Sequence, residues 1–484
     1  MHIPSPSTAV LLLLLISSSS LSPLAQATPL QDSLALDASP TSQLLVCLEP
    51  LGAKVLTSND AKYDEERYVF DRRHSYLPQV IVMASSVSDV HTAVKCATAA
   101  RVAVAPRSGG HSYEGYSLGG QDGALVIDLG GLTSVVVENG VAKVGAGIRL
   151  GQLYLELFYQ GGYTLNAGTC PSVGIGGLAL GGGFGLLGPK YGLLIDRIIE
   201  MQMVDAQGQL LTISATSNAD LFFALRGAGG GSFGVVTEFT LLPIKPSPVV
   251  TSFSYNWKPE EYSPVLTFFA AFQSLCSDEI GIKMNAGPNG LRMSGLFEGT
   301  PDDQMRAMAP FFAQVPKPNQ TDVREGRYID AQLRLASIPN DPKDIEALLL
   351  KVAPRTRKGK SLLYPKALQA STIALLVPED ATAFIHRSAH TVIEFMVDWT
   401  RDPNTNPEQG CEACLEWMNT MYTEFLDDFK VNYGPVRGYQ NYIDLEIPSW
   451  QDAYYGSALP RLKQIKRAVD PENTFRFPQS IPLQ

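Results

Sequence analysis

The sequence predicts an α+β protein of two domains, and three observations carry that expectation. Its 484 residues exceed the size at which one hydrophobic core stops growing. The first half alternates short β-branched runs with amphipathic stretches. At Lys245 the texture changes: KPSPVV reads as a linker, and longer helical patterns alternate with strands beyond it.

Each element has its own local reason. VIVMASSVSDVHTAVKCATAARVAVAPRSGG reads as strand, amphipathic helix over 88–102, strand and loop. The stretch from ALVIDL onward adds β-branched strands, a hairpin turn at Asn139-Gly140 and one helix. IIEMQMVDAQGQLLTIS predicts a hairpin-like pair, and FGVVTEFTLLPI at 233–244 a strong strand. TVIEFMVDW at 391–399 predicts a strand of the second domain. The closing stretch holds an amphipathic helix stopped at Asp470-Pro471. The expected domains are 28–245 and 246–430, with 431–484 as a terminal segment.

Composition narrows the class. Forty-five percent hydrophobic and eighteen percent charged residues are ordinary for a globular chain. Thirty-eight basic against 48 acidic residues give a formal charge of −10, which disfavours nucleic acid and anionic membrane as partners. The apolar run at 9–16 is too short to span a bilayer, and Ala25-Gln26-Ala27 offers a small-x-small cleavage site. Residues 1–27 therefore read as a signal peptide, although the run lacks the usual preceding Lys or Arg. The expectation is a secreted, soluble monomer.

Six cysteines in a secreted chain permit disulfides. Cys47, just after the signal region, is assigned to Cys96 in the predicted helix. Cys411 and Cys414 form a lone C-x-x-C, readable as a local disulfide, a redox pair or half a zinc site; with no second C-x-x-C a structural role is preferred, and no metal site is expected. Cys276 has no evident partner. Asn319, in Asn319-Gln320-Thr321, is a glycosylation acceptor.

Two glycine-rich runs concentrate the chemistry: PRSGGHSYEGYSLGG at 106–120 and GTCPSVGIGGLALGGGFG at 168–185. Such runs suit a backbone that approaches a flat cofactor or a pyrophosphate closely, and His111 and Cys170 stand in them as nucleophiles able to bond that cofactor. Gly174 to Ala179 formally matches the dinucleotide fingerprint, with Asp196 about 20 residues on. A following helix would have to run through Gly181, Gly182 and Gly183, which argues against it. Gly230-Gly231-Ser232-Phe233-Gly234 formally matches a nucleophile elbow, yet a β-rich run follows where a helix is required.

Seven ordered motifs make the chain resemble the berberine-bridge-enzyme-like FAD-linked oxidases of the vanillyl-alcohol-oxidase fold: PRSGGHS, GTCPSVGIGG, GGGFG, KYGLLID, DLFFALRGAGGGSFGVVT, YQNY and DPENTF…PQSI. The resemblance implies a two-subdomain FAD-binding domain of PCMH type (core about 74–245), an antiparallel substrate-domain sheet flanked by helices, and a C-terminal segment that returns to the FAD domain. It implies FAD bonded to His111 through the flavin 8α-methyl and to Cys170 through ring carbon 6. Arg107, Ser108, Gly109, Gly110 and Ser112 are expected at the pyrophosphate. Gly168, Gly174, Gly177, Gly234, Val235 and Asn441 are expected to line the cofactor. Val173 stands at the position that resembles oxidases, implying reoxidation by dioxygen.

For substrate chemistry, Tyr442 matches the family's catalytic base, with Tyr439 beside it; an unperturbed phenol, with a pKa of about 10, needs help to act as one. Carbohydrate-oxidising relatives supply a carboxylate between a KS segment and the PEDATAF-like stretch. Here the interval from Lys360-Ser361 to Pro378 is short and ALQASTIALL holds no acid. Glu394 and Asp398 share one face of their strand and either could substitute. His386 and His390 read as structural. The expected function is oxidation of a bulky organic molecule, of secondary-metabolite type, by hydride transfer to FAD with dioxygen as acceptor. The alternatives are an oligosaccharide oxidase forming lactones and hydrogen peroxide, a flavin-binding relative impaired in catalysis, and, remotely, a serine hydrolase.

Overall fold

The computed structural model describes residues 39–272, 275–287, 290–336, 356–364, 377–378, 380–389, 391–399, 411–447 and 449–484. The signal-peptide segment, His390 and the acid-free stretch 367–376 lie outside them. Pro40–Gln484 forms one compact unit.

Its strands fall into four sheets. In the first, β1 (Val55–Leu56), β2 (Val80–Met83), β3 (Val104–Arg107) and β4 (Leu125–Asp128) lie in the order β1-β2-β4-β3. β2 and β3 both run parallel to β4. Parallel strands are covered on both faces, and every residue of β4 is buried. The crossover from β2 to β3 is helix α1 (Val87–Ala99), where Ser86 and Asp89 form a reciprocal capping box. The Cys47–Cys96 disulfide ties this helix to the preceding helix Pro40–Leu48, as assigned from the sequence.

The second sheet is antiparallel and pairs β5 (Val135–Glu138), β6 (Val141–Gly145), β7 (Ile198–Val204), β8 (Leu210–Ser214) and β9 (Val235–Leu241) in the order β5-β6-β9-β7-β8. The Asn139-Gly140 turn joins β5 to β6, and both residues take positive φ, as a two-residue hairpin of that kind requires. One large apolar core unites these two sheets with residues of the chain's end, among them Tyr439, Tyr454, Leu462 and Phe475.

The third sheet, also antiparallel, holds β10 (Val250–Trp257), β11 (Ile280–Gly287), β12 (Gly290–Phe297) and β13 (Gln320–Gly326) in the order β11-β12-β10-β13. Helices Tyr262–Phe272 and Pro301–Phe312 contribute to a separate aromatic core of Phe253, Tyr255, Trp257, Phe272 and Phe311. Asn319 is exposed at the entry to β13. The fourth sheet is the pair β14 (Thr356–Tyr364) and β15 (Thr391–Trp399). Cys411 and Cys414 are joined as a local disulfide, and Cys276 is free. Among the described residues no helix is long and apolar enough to cross a membrane.

Candidate functional site

The loop after β3 and the loop before helix α2 (Ile175–Leu180) meet backbone to backbone. A Cβ built on Gly109 would lie 2.2 Å from the Gly174 nitrogen, and one on Gly174 would lie 2.1 Å from the Gly109 nitrogen. No residue with a side chain fits at either position without moving backbone. Helix α2 ends before Gly181, and a Cβ there would fall on the Asn441 amide, 2.0 Å away. The triple glycine thus stops the helix, as its propensity dictates.

This contact brings the two nucleophiles together. The His111 Nε2 lies 2.9 Å from the Ser172 hydroxyl, and the Cys170 sulfur lies 3.5 Å from the same oxygen. His111 stacks on Phe70, with ring centroids 4.0 Å apart. Burial, together with the positive charges of Arg149 and Arg357, pushes its pKa down to about 3, so the imidazole is neutral. Cys170 is an exposed free thiol.

The polar side chains of the first loop are spoken for within the protein. The Ser108 hydroxyl donates to the Ala146 carbonyl at 2.7 Å, and the Ser112 hydroxyl accepts from the Tyr116 N–H at 3.1 Å. Arg107, expected at the pyrophosphate, has partners within the protein. The β3–β4 register sets it opposite Asp128, whose carboxylate lies 2.5 Å from its Nε, while Nη1 donates to the Glu66 carbonyl. A guanidinium only 5% exposed must be paired, and this neighbour pairs it.

What remains open to an anion is backbone and one other cation. Among the described residues the N–H groups of Gly109, Gly110, His111 and Ser112 have no hydrogen-bond acceptor. The Arg149 Nη1 is buried and likewise lacks a partner among the described residues. Gly177 is exposed with no atom within 4 Å of its would-be Cβ. Successive unsatisfied N–H groups, an unpaired guanidinium and bare glycine backbone fit the pyrophosphate and flat ring of a flavin dinucleotide. Sequence reasoning missed Arg149; its signal was a lone Arg at the entry to the helix Leu150–Tyr159, bridged to Gly174.

The remaining residues expected at the cofactor have the following surroundings. Gly168 uses its carbonyl to accept from Tyr154 and Gln332. Val173 is partly buried and packs against the main core. Val235, at the start of β9, has no exposed surface, and Gly234 just before it is pressed against Met203 and the Val204 backbone. Asn441 donates to the Leu178 carbonyl and to the Tyr439 hydroxyl. The Ser232 hydroxyl accepts from the Ile481 N–H, and the strand β9 follows it, so no nucleophile elbow exists there. Asp196 pairs with Arg387, which accounts for the acid that the dinucleotide fingerprint would have placed on a ribose.

A second cluster lies where β14 and β15 meet the first loop. Tyr113 donates its hydroxyl to Glu394 at 2.7 Å, and its ring stacks on Tyr442 with centroids 5.7 Å apart. A Cβ on Gly359 would reach within 2.8 Å of the Tyr113 ring, so glycine in β14 makes room for it. Arg357 grips Asp398 through two bonds of 2.6 and 2.9 Å, as their opposed register in the β14–β15 pair requires. Burial raises the Glu394 pKa against the opposing pull of the Tyr113 hydroxyl, Arg357 and Lys283. Burial and the negative charge of Glu394 hold the Tyr442 phenol well above its ordinary value, with Arg357 pulling the other way.

The Tyr439 hydroxyl accepts from the Gly183 N–H at 3.0 Å and from Asn441 at 2.9 Å, and burial pushes its pKa up to about 12. His386 is buried, with its pKa pushed down to about 3 by burial and Arg437, in keeping with a structural residue.

Fold and site together define an FAD-dependent oxidoreductase. Residues 78–214 match the FAD binding domain family and residues 438–482 match the berberine and berberine-like family. An uncharacterised FAD-linked oxidoreductase of Bacillus subtilis is 31% identical over 89% of this chain and 97% of its own. The solved Physcomitrella patens BBE-like 1 is 34% identical, covers 91% of this chain and 99% of its own, and superposes with a TM-score of 0.83. A glucooligosaccharide oxidase from Acremonium strictum, described with a 6-S-cysteinyl, 8α-N1-histidyl FAD, is 25% identical over 91% of this chain and 99% of its own, with a TM-score of 0.77. The chain belongs to the berberine-bridge-enzyme-like family of FAD-linked oxidoreductases.

Proposed function

We propose that this protein is a secreted oxidase whose FAD is held through both His111 and Cys170, and that it oxidises a bulky organic alcohol or phenol of secondary-metabolite type. The observation that carries the reading is the convergence of two nucleophiles on one hydroxyl, with a nearby tyrosine already bonded to a half-buried carboxylate. When bound, the flavin accepts hydride and passes the electrons to dioxygen.

The protein's own residues handle the proton. A tyrosine whose pKa is raised is a poor base, which turns Tyr442 from the expected base into a hydrogen-bond donor that orients the substrate oxygen. Glu394 is the acceptor instead. As the substrate hydroxyl gives its proton to the Tyr113 oxygen, Tyr113 passes its own to Glu394 along the 2.7 Å bond, and no phenolate need form. Arg357 and Asp398 hold the wall of this cluster in place.

A second reading, an oligosaccharide oxidase, is favoured by the likeness to the Acremonium strictum enzyme. Peroxide release from a panel of polycyclic and aromatic alcohols, phenols and reducing oligosaccharides separates the two. Turnover of the aromatic members alone supports the first reading, turnover of sugars the second, and silence across the panel favours a relative impaired in catalysis.

A further inference from the structure

Ser172 occupies a position that neither attachment residue explains alone. It is 4% exposed, and its hydroxyl lies within reach of both His111 Nε2 and Cys170 Sγ. His111 and Cys170 stand 59 positions apart in sequence and on different loops. A hydroxyl has one proton to give and lone pairs to receive, so the direction of its two bonds is coupled.

We propose that Ser172 is the positioning residue that makes both attachment nucleophiles competent at once: its oxygen accepts the Nε2–H of His111, and its own proton is donated to the Cys170 sulfur. In that direction Nδ1 of His111 keeps a free lone pair and the sulfur is supported as thiolate. In the opposite direction the thiol donates to Ser172, Ser172 donates to Nε2, and the imidazole proton sits on Nδ1, so neither atom is nucleophilic. The two arrangements differ by one proton, which leaves the unit from Nδ1 as the thiol proton passes through Ser172 to Nε2. Burial, with the positive charge that Arg149 and Arg357 set around it, keeps the His111 imidazole neutral and its Nδ1 lone pair available.

The inference rests on the bicovalent reading of the preceding section. Forming each bond replaces one hydrogen of the flavin and one of the nucleophile, and releases two protons and two electrons. Dioxygen takes these up as hydrogen peroxide, so two attachments consume two molecules of dioxygen.

Ser172→Thr keeps the hydroxyl, whereas Ser172→Val has the same shape without it, and Ser172→Ala removes bulk as well. The full-length secreted proteins would be denatured in acid, digested and mapped for flavin on the His111 and Cys170 peptides, with the folded fraction of each checked by circular dichroism. Wild type and Ser172→Thr are expected to carry flavin on both peptides. In Ser172→Val and in the folded fraction of Ser172→Ala the doubly attached fraction is expected to fall by about tenfold or more, the worth of a hydrogen bond to a charged group. Doubly attached Ser172→Val at the wild-type level overturns the role of Ser172 and leaves the bicovalent reading standing. Wild-type protein lacking flavin on either peptide removes both.

Discussion

The two faces of β14 do opposite work with similar residues. On one face Arg357, Gly359 and the opposing Glu394 and Asp398 of β15 meet Tyr113 and Tyr442, and the Asp398 side chain is 38% exposed. On the other, Lys358 and Lys360 are sealed inside. The Lys358 ammonium lies 2.7 Å from Glu114 and 2.5 Å from Asp444, and Lys360 lies 3.0 Å from Asp444 and 2.6 Å from Glu446. Arg73 completes the balance on Glu114. Three cations and three carboxylates from four distant segments thus neutralise one another. A buried charge with fixed partners has no freedom to take up or release a proton, so it fastens the strand between the first loop and the chain's end. A carboxylate held by one phenol, with its pKa raised, retains that freedom. Rigidity on the sealed face is what places the reactive one.

Three substitutions probe the difference between the two faces. Glu394→Gln should have the largest effect on turnover: kcat falls by about 10²–10⁴-fold, the usual worth of a positioned general base. Because burial raises the Glu394 pKa, wild-type turnover should increase with pH through a limb displaced above the ordinary carboxylate range and then level off. The variant should lose that limb while unfolding as wild type does. Unchanged kcat would assign the proton elsewhere. On the sealed face, Lys358→Met leaves Glu114 and Asp444 buried with an uncompensated charge, at a cost of about 3–5 kcal/mol in stability. Denaturant unfolding followed by tryptophan fluorescence reads that loss, and a variant as stable as wild type would show that the network is incidental. The smallest effect belongs to Tyr439→Phe, which strips the partner from the Gly183 N–H and should cost about 1–3 kcal/mol with turnover per folded molecule nearly unchanged. A collapse in kcat with stability intact would return Tyr439 to the catalytic group.

Local chemistry was legible in the sequence, and long-range chemistry was not. The strand at Thr391–Trp399, the hairpin at Asn139-Gly140 and the Cys47–Cys96 bond follow from periodicity, turn preference and position. The two glycine runs were legible as places of close backbone approach, but their packing on each other at Gly109 and Gly174 came only with the fold. Tyr113 and Ser172 escaped notice although each stands two residues from a predicted attachment residue, because a hydroxyl announces no partner until the fold supplies one. Glu394 was visible as a candidate on its strand face, yet its bond to Tyr113 spans 281 positions. The same holds for Arg107, whose commitment to Asp128 depends on a parallel register that composition does not reveal.

The proposed attachment of FAD to both His111 and Cys170 underlies everything said of the site. It is tested most directly by denaturing the wild-type protein in acid and detergent and asking, by in-gel fluorescence and peptide mass mapping, where the flavin stays. Flavin mass is expected on the peptides that contain His111 and Cys170, with none released to the supernatant. Flavin released in full, with both peptides unmodified, would contradict it.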